Sequence, residues 1–400
     1  MFADLVVTAG RFSIMMRSLR GTRTMAKLIE ASTRPRVAAL VLVCAACLAI
    51  NTGCRYAGAC GPDSANVCTW TMDRFMISHW GSPKDEKSLK LFLGDHINTV
   101  IAVPEEVEFC RKHGLKVLLA APGEEAAPYL GDPIVWGYFV IDEPGRKKIE
   151  YSTLVPRFRK HHELDPTRPA YINLNREDNV EKFVEMFKPR VLSYDYYQWW
   201  EGQEEFFPLL EKFRRVALSA EIPLICWVEA VVVPSGPIPA DNQAKIRHSV
   251  YCSLAYGVKG IQWWAWRNFN RDAGAVNAEL KRLGPVLVEL RSVDVFHTAP
   301  VPEGTSAIPN GHWVQSPTKQ LVVGLLQDRH RSDFILLANR DHKQSQDAVL
   351  RFTRPLAAAK KMDKRTGKWV GLDVRKEKAA QETTLHLLAG DGELLKIEWP

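Results

Sequence analysis

From about residue 75 onward, short apolar runs alternate with longer amphipathic segments. The apolar runs are rich in β-branched and aromatic residues and predict eight strands, at 75–80, 98–103, 116–120, 136–141, 170–174, 191–196, 223–228 and 260–264. They are continuously apolar, which is typical of parallel strands buried on both faces. The segments between them predict helices, for example at 104–113, 149–162, 179–187, 204–220, 243–256 and 275–291. Eight strand–helix units predict an α/β fold, a (β/α)8 TIM barrel over residues 70–295, in which the third unit has room only for a short helix.

The hydrophobic pattern changes after about residue 295. Short strands separated by turn signals are predicted at 313–315, 321–326, 334–338, 348–352, 369–372 and 384–388, and "GDGELLKIEW" closes the chain as another. Such a series predicts a small C-terminal antiparallel β-sandwich over residues 300–400.

Residues 1–55 follow the pattern of a bacterial export signal. Lys27, Arg34 and Arg36 precede the apolar run "VAALVLVCAACLAI", and small residues then lead to Cys54. That run is shorter than the roughly 20 residues that span a bilayer. We therefore expect an exported protein, either periplasmic or an outer-membrane or cell-surface lipoprotein attached through a lipidated N-terminal Cys54. Cys47 is the alternative lipidation site, and an uncleaved anchor helix is the alternative to cleavage.

The distribution of charge and the spacing of the cysteines argue against a nucleic-acid-binding protein and against a zinc protein. Residues 1–55 carry +6 of the formal net charge of +7, so the rest of the chain is near neutral and has no basic groove for nucleic acid. Cys60 and Cys68 are candidates for a disulfide in an oxidising compartment. The cysteines of the predicted barrel, Cys110, Cys226 and Cys252, lie in apolar surroundings and are predicted to be buried thiols. No cysteine pair beyond the predicted export signal has the CxxC spacing of a zinc site, and we predict neither a metal nor a cofactor.

The predicted strand exits carry aromatic and carboxylate side chains. In a barrel of this class the active site lies at the C-terminal ends of the strands. The candidate site residues at these exits are His79, Trp80, Asp142, Glu143, Asn173, Asp195, Tyr196, Glu229, Trp264 and Trp266, with Asn175 as a weaker candidate. Aromatic rings stack on the apolar faces of sugars while polar groups bond the hydroxyls, so an oligo- or polysaccharide partner is expected.

Glu143 and Glu229 are the carboxylates that suggest a reaction. Hydrolysis of a glycosidic bond uses one carboxyl group as the acid and a second as the nucleophile or base. The fourth and seventh exits face each other across a barrel mouth, so these two residues are the candidate catalytic pair of a glycoside hydrolase.

The same residues resemble a known group of enzymes. Glutamates after strands four and seven resemble the signature of clan A glycoside hydrolases, the retaining 4/7 barrels, and "SLAYGVKGIQWWAWRNF" is similar to the eighth-strand region of microbial β-galactosidases in that clan. The resemblance implies that Glu143 is the acid/base, that Glu229 is the nucleophile and that Trp266 is the platform under the cleaved sugar. It also implies that Tyr196 positions the nucleophile.

The sequence departs from this clan at Asp142, where the clan usually has Asn. An anion there would raise the pKa of Glu143, and aromatic walls from Trp136 or Tyr138 would act in the same direction. Glu229, near polar groups such as Tyr196, is expected to stay ionised.

Two other functions remain open at this point. The first is a carbohydrate-binding barrel that has lost its chemistry and holds glycans on its tryptophans. The second is a metal-dependent barrel hydrolase that uses His79, Asp142, Asp195 and Glu229.

Because side chains alternate along a strand, one of the adjacent Trp263 and Trp264 is expected to face the helices rather than the site.

Overall fold

Eight parallel strands close into a barrel in sequence order, which confirms the predicted fold class. The computed structural model describes residues 70–233, 235–264, 271–377 and 380–400. The predicted export signal with Cys47 and Cys54, the Cys60–Cys68 pair and Trp266 lie outside the described residues. The barrel strands are β1 (Met76–His79), β2 (Thr99–Ala102), β3 (Lys116–Leu119), β4 (Val135–Asp142), β5 (Ala170–Leu174), β6 (Leu192–Asp195), β7 (Leu224–Glu229) and β8 (Gly260–Trp264).

Helices follow the strands around the outside. They are α1 (Glu86–Gly94), α2 (Val107–Lys112), α3 (Tyr151–Leu164), α4 (Val180–Phe187), α5 (Gln198–Glu201), α6 (Phe206–Ser219), α7 (Asn242–Ala255) and α8 (Arg271–Leu287). A 3₁₀ turn at Pro104–Glu106 precedes α2, and a 3₁₀ segment at Gly123–Tyr129 is the only helical element between β3 and β4, as the short third unit predicted. Local sequence sets helix starts: Asp85 and Ser88 form a capping box at the first turn of α1.

Side chains alternate between the barrel interior and the helix-facing side of each strand. The interior cluster includes Trp70, Met76, Leu118, Trp136, Tyr171 and Ile225. Trp136 packs edge-on against Trp70, near the start of β4, and Tyr138 points outward and donates a hydrogen bond to Asp165 at 2.7 Å. The prediction that these two rings form walls around Glu143 is therefore wrong, because one lies deep in the barrel and the other behind it.

The C-terminal part is a two-sheet sandwich. Its strands are β9 (Arg291–His297), β10 (Val314–Gln315), β11 (Leu321–Gln327), β12 (Asp333–Asn339), β13 (Gln346–Phe352), β14 (Ala358–Met362), β15 (Trp369–Gly371), β16 (Arg375–Glu377), β17 (Ala380–Leu387) and β18 (Gly392–Glu398). The six-stranded sheet has the order β15-β14-β18-β12-β11-β9, and the four-stranded sheet has the order β10-β13-β17-β16. The sequence missed β9, β14 and β16. The first of these begins inside the range assigned to the barrel and pairs antiparallel with β11.

The sandwich packs directly on α7 of the barrel. Gly324 of β11 lies so close that a Cβ atom there would be 2.0 Å from the carbonyl oxygen of Ala255, so only glycine permits this approach. Arg247 of α7 pairs with Asp391 at 3.0 Å, and Lys364 pairs with the same carboxylate at 2.8 Å. The two parts therefore share a close-packed and charge-paired interface.

Two further features bear on the sequence predictions. Cys110, Cys226 and Cys252 are buried free thiols, as predicted. Within the ranges that the structure describes, no helix combines the length and the apolar character needed to cross a membrane.

Candidate active site

The turn after β4 presents Glu143 at the barrel rim. Glu143 has a φ of +44°, a left-handed conformation that is strained for a residue with a side chain. Its backbone N–H donates to the carbonyl of Asn173 at 2.9 Å. Gly145 packs against Asp178, where a Cβ atom would lie 2.8 Å from the carboxyl group, and its N–H donates to that carboxylate at 2.9 Å. Asp178 therefore anchors the strained turn that orients Glu143.

Three carboxyl groups meet at this rim. Asp195, at the end of β6, is buried and its carboxyl group is hydrogen-bonded to that of Glu143. Burial raises the pKa of Asp195 well above its ordinary value, and the negative charges of Glu143 and Asp142 add to this effect. Burial also raises the pKa of Asp142, against the opposing effect of a hydrogen bond from Asn173. Asp195 therefore binds its proton more tightly than an isolated carboxyl group does.

Two cations from the same turn flank the carboxylates. Arg146 lies 3.4 Å from Glu143, and Lys147 lies 3.6 Å from Asp142. Both cationic side chains are largely exposed. Pairs of this kind orient the carboxylates and contribute little to stability, because solvent screens them.

Glu229 occupies a different environment from the one predicted. It is the last residue of β7, its exposure is 0%, and its Oε1 accepts a hydrogen bond from the backbone N–H of Trp199 at 3.0 Å. No described residue bonds its Oε2. Burial raises the pKa of Glu229 to about 8, so the expectation that it stays ionised at neutral pH is wrong for the ligand-free protein.

Trp199, which holds Glu229, is itself anchored from two directions. Its indole N–H lies 3.2 Å from the carbonyl of Lys245 and 3.0 Å from the hydroxyl of Ser249, both on α7. The ring of His342, on the loop between β12 and β13, packs edge-on against it at 4.7 Å. The sandwich thus contributes to the support of a candidate catalytic residue, a role that no sequence motif signalled.

An aromatic cluster lies beside these groups. The ring centroid of Trp80 is 5.7 Å from Phe139, 5.3 Å from Trp227 and 5.6 Å from Trp264. Trp264 is 36% exposed, which leaves an indole surface free for a sugar ring. Trp263 is the member of the pair that faces the helices, where its N–H donates to Asn277 at 2.8 Å.

Two of the predicted site residues point away from the rim. The ring of His79 packs on Phe92 of α1, behind the barrel wall, and burial lowers the pKa of His79 to about 4. Tyr196 donates its hydroxyl proton to the carbonyl of Gly202 at 2.8 Å. The prediction that His79 binds the sugar is therefore wrong. The hydroxyl of Tyr196 bonds the loop at Gly202 and not Glu229. The alternation of side chains along a strand explains both errors, since adjacent exit residues face opposite sides.

The remaining predicted residues divide between the rim and its support. Asn173 is buried and bonds Asp142 at 3.1 Å, whereas Asn175 serves the turn by accepting the N–H of Glu177. Sequence reasoning missed Tyr197, whose hydroxyl donates to Asp195 at 3.2 Å. Its position next to a strand exit was the available signal.

The structure does not assemble the metal-binding set that the sequence left open. Of its four proposed ligands, His79 faces α1 and Glu229 is enclosed beneath Trp199. Across the described ranges, no group of three or more His, Cys, Asp or Glu side chains has the geometry of a metal site.

Comparison with known proteins gives likenesses of fold. No protein-family model matches the chain, and no curated protein is similar to it in sequence. Similar solved structures include a glucosidase from Croceicoccus marinus, with 10% identity, a TM-score of 0.40 and coverage of 82% of this chain and 96% of that chain. A GH51 arabinofuranosidase from Xanthomonas axonopodis pv. citri has 10% identity, a TM-score of 0.45 and coverage of 80% and 92%. A GH27 β-L-arabinopyranosidase from Geobacillus stearothermophilus has 12% identity, a TM-score of 0.42 and coverage of 68% and 59%. At these values the likenesses assign neither an activity nor a substrate to this chain.

Proposed function

We propose that this chain is a glycoside hydrolase that cleaves O-glycosidic bonds of an oligo- or polysaccharide by a retaining mechanism. The observation that carries the proposal is the placement of Glu143 and Glu229. Glu143 directly follows β4 and Glu229 is the last residue of β7, so both lie at the C-terminal ends of strands on one rim of a closed barrel. Trp264 and Trp80 lie on the same rim and supply an aromatic surface for a sugar ring.

Glu143 is the proposed general acid/base. It is the glutamate of the pair that keeps a route to solvent, with a side chain that is 14% exposed, and Asp195 lies in hydrogen-bond contact with it. In this role Glu143 gives a proton to the departing sugar oxygen in the first step and takes one from water in the second step.

Glu229 is the proposed nucleophile. Its pKa of about 8 means that roughly a tenth of the ligand-free molecules carry it ionised at pH 7. Attack on the anomeric carbon requires that form, so substrate binding must favour loss of the proton. The N–H of Trp199 then stabilises the carboxylate that remains.

The roles are tested by replacing Glu143. General acid catalysis contributes roughly 10²–10⁴-fold, so Glu143→Gln should lose that factor on glycosides with poor leaving groups and little of it on activated aryl glycosides. Glu221→Gln is the matched control, because Glu221 is exposed and precedes β7 at the opposite end of the barrel. With Glu143→Ala, added azide should yield a glycosyl azide of retained configuration. If Glu143→Gln hydrolysed natural glycans at the wild-type rate, Glu143 would not be the general acid/base.

A carbohydrate-binding barrel without hydrolytic activity is the second candidate. The complete burial of Glu229 and its neutral state at pH 7 favour it, because such a carboxyl group does not reach a substrate without rearrangement. Calorimetric titration with a glycan panel at pH 7, followed by product analysis at pH 8.5, separates the two. Binding without turnover at either pH supports the binding protein.

We further propose that the protein is exported and held at the cell envelope through a lipidated cysteine. The support is the order of basic, apolar and small residues that ends at Cys54. Intact-mass measurement of protein recovered from its native envelope should show loss of the preceding residues and the mass of attached acyl chains. A full-length mass in the cytosolic fraction would contradict both parts of the proposal.

A further inference from the structure

A chain of hydrogen bonds crosses the barrel interior below the candidate site. It begins with two donors that converge on the hydroxyl of Tyr171 in β5. The indole N–H of Trp227 in β7 donates at 2.9 Å, and the amide of Gln262 in β8 donates at 2.7 Å. All three side chains are buried, so water does not compete for these bonds. An indole nitrogen can only donate, which means that Tyr171 must accept from Trp227.

The direction of the remaining bonds follows from these donors. With its lone pairs engaged, the Tyr171 hydroxyl directs its proton to Ser193 of β6, at 2.8 Å. Ser193 then donates to the side-chain oxygen of Asn173 at 2.9 Å. That bond orients the Asn173 amide so that its NH₂ group faces outward and donates to Asp142 at 3.1 Å.

We propose that this one-way chain of donors, built from five barrel strands, holds Asp142 as a hydrogen-bond acceptor and an anion beside Glu143. Tyr171, Ser193 and Asn173 are accordingly positioning residues that act through Asp142. The proposal rests on the proposed function for its link to catalysis, while the state of Asp142 itself can be measured without any substrate.

The charge on Asp142 has a direct consequence for its neighbours. Asp142 faces Lys147 and Glu143 from its own turn, Asp195 and Tyr197 from the exit of β6, and Tyr171 from within the barrel. A fixed negative charge at this position raises the pKa of the neighbouring Asp195, in the same direction as the burial of that residue. An Asp can therefore precede the candidate acid, because the donor chain bonds its Oδ1 and its negative charge favours the protonated form of Asp195 next to Glu143.

The alternative arrangement is a reversed chain. If Asp142 were protonated, Asn173 could present its oxygen to Asp142 and its NH₂ group to Ser193, and the donors would run in the opposite direction. The charge on Asp142 therefore distinguishes the two orientations.

The test is a carboxyl ¹³C NMR titration of the full chain, with Asp142 assigned through Asp142→Asn. Tyr171→Phe and Ser193→Ala each remove one link, and Ser193→Thr retains the hydroxyl. Tyr256→Phe is the matched control, because this buried tyrosine hydroxyl bonds His297 outside the barrel interior. We expect the acid dissociation constant of Asp142 to fall about 3- to 10-fold in the two broken chains. It should be restored in Ser193→Thr and unchanged in Tyr256→Phe.

The outcomes separate this inference from the proposed function. A neutral Asp142 at pH 7 in the wild type, or a titration that neither broken chain moves, would overturn the inference. If the protein hydrolyses glycosides, the acidic limb of kcat/KM should move to higher pH in Tyr171→Phe and not in Tyr256→Phe. If no variant and no wild-type protein hydrolyses any glycan while the Asp142 titration shifts as expected, the proposed function fails and the donor chain stands.

Discussion

Replacement of Glu229 by glutamine should change the pH dependence of folding in a way that can be calculated. The pKa of this buried carboxyl group is raised from 4.5 to about 8. The folded protein therefore binds the proton more tightly than the unfolded chain does. The contribution of Glu229 to the free energy of unfolding is full below pH 4.5 and is lost as the pH rises to about 8. Each pH unit in this window costs about 1.4 kcal/mol, so ionisation of Glu229 removes about 4 kcal/mol between pH 5 and pH 8.

The assay is urea unfolding of the full chain at pH values from 5 to 9. Glutamine keeps an oxygen that accepts the N–H of Trp199, and it cannot ionise. Between pH 5 and pH 8 the free energy of unfolding of Glu229→Gln should therefore fall by about 4 kcal/mol less than that of the wild type. That difference is large against a typical total stability of about 5–15 kcal/mol. Glu221→Gln, at an exposed position, should follow the wild-type curve. Parallel curves for the wild type and Glu229→Gln would show that Glu229 is already ionised at pH 5 in the folded protein, and would refute the reasoning from burial.

Three further changes test separate parts of the site. Gly145→Ala places a Cβ atom 2.8 Å from Asp178, so the turn that carries the candidate acid must move. We expect a loss of about 1–3 kcal/mol in the free energy of urea unfolding and a lower kcat. An unchanged kcat would show that the turn adapts. Tyr196→Phe should lose about 1 kcal/mol of stability with its bond to Gly202 and leave kcat/KM unchanged, whereas a large fall in kcat would restore Tyr196 to the nucleophile. Trp264→Ala should raise KM roughly 10-fold with little effect on kcat if its exposed face stacks on a sugar, and an unchanged KM would exclude that contact.

The order and type of the elements could be predicted from sequence because they depend on local patterns. Two strands, β5 and β8, have the predicted bounds, and the other six barrel strands differ by one residue at one or both ends. A continuously apolar run indicates a strand that is buried on both faces, which is typical of parallel sheets. Eight such strands, each followed by a helical segment, predict a closed parallel barrel. The strand β9 was missed because only three residues separate it from α8 and none of them is a Gly, Pro, Asn or Asp turn signal. Only pairing with β11 makes it a strand.

The membership of the candidate site was less predictable. The sequence located Asp142, Glu143 and Asp195 at strand ends, and the barrel brings them together because all strand ends of a closed parallel sheet share one rim. It could not tell which of two adjacent exit residues faces that rim. His79 and Trp263 face the helices, while Trp80 and Trp264 face the site.

The sequence by itself determined the barrel, the sandwich and the ring of candidate residues, since hydrophobic periodicity and strand ends are local properties of the chain. Only the tertiary structure decided the state of Glu229 and the direction of the bonds that reach Asp142. A pKa depends on burial and on every nearby charge. The group that bonds Glu229 is Trp199 of α5, which α7 and the sandwich support. The donor chain likewise joins five strands that are distant in sequence, and no local pattern records which side chains meet inside a closed barrel.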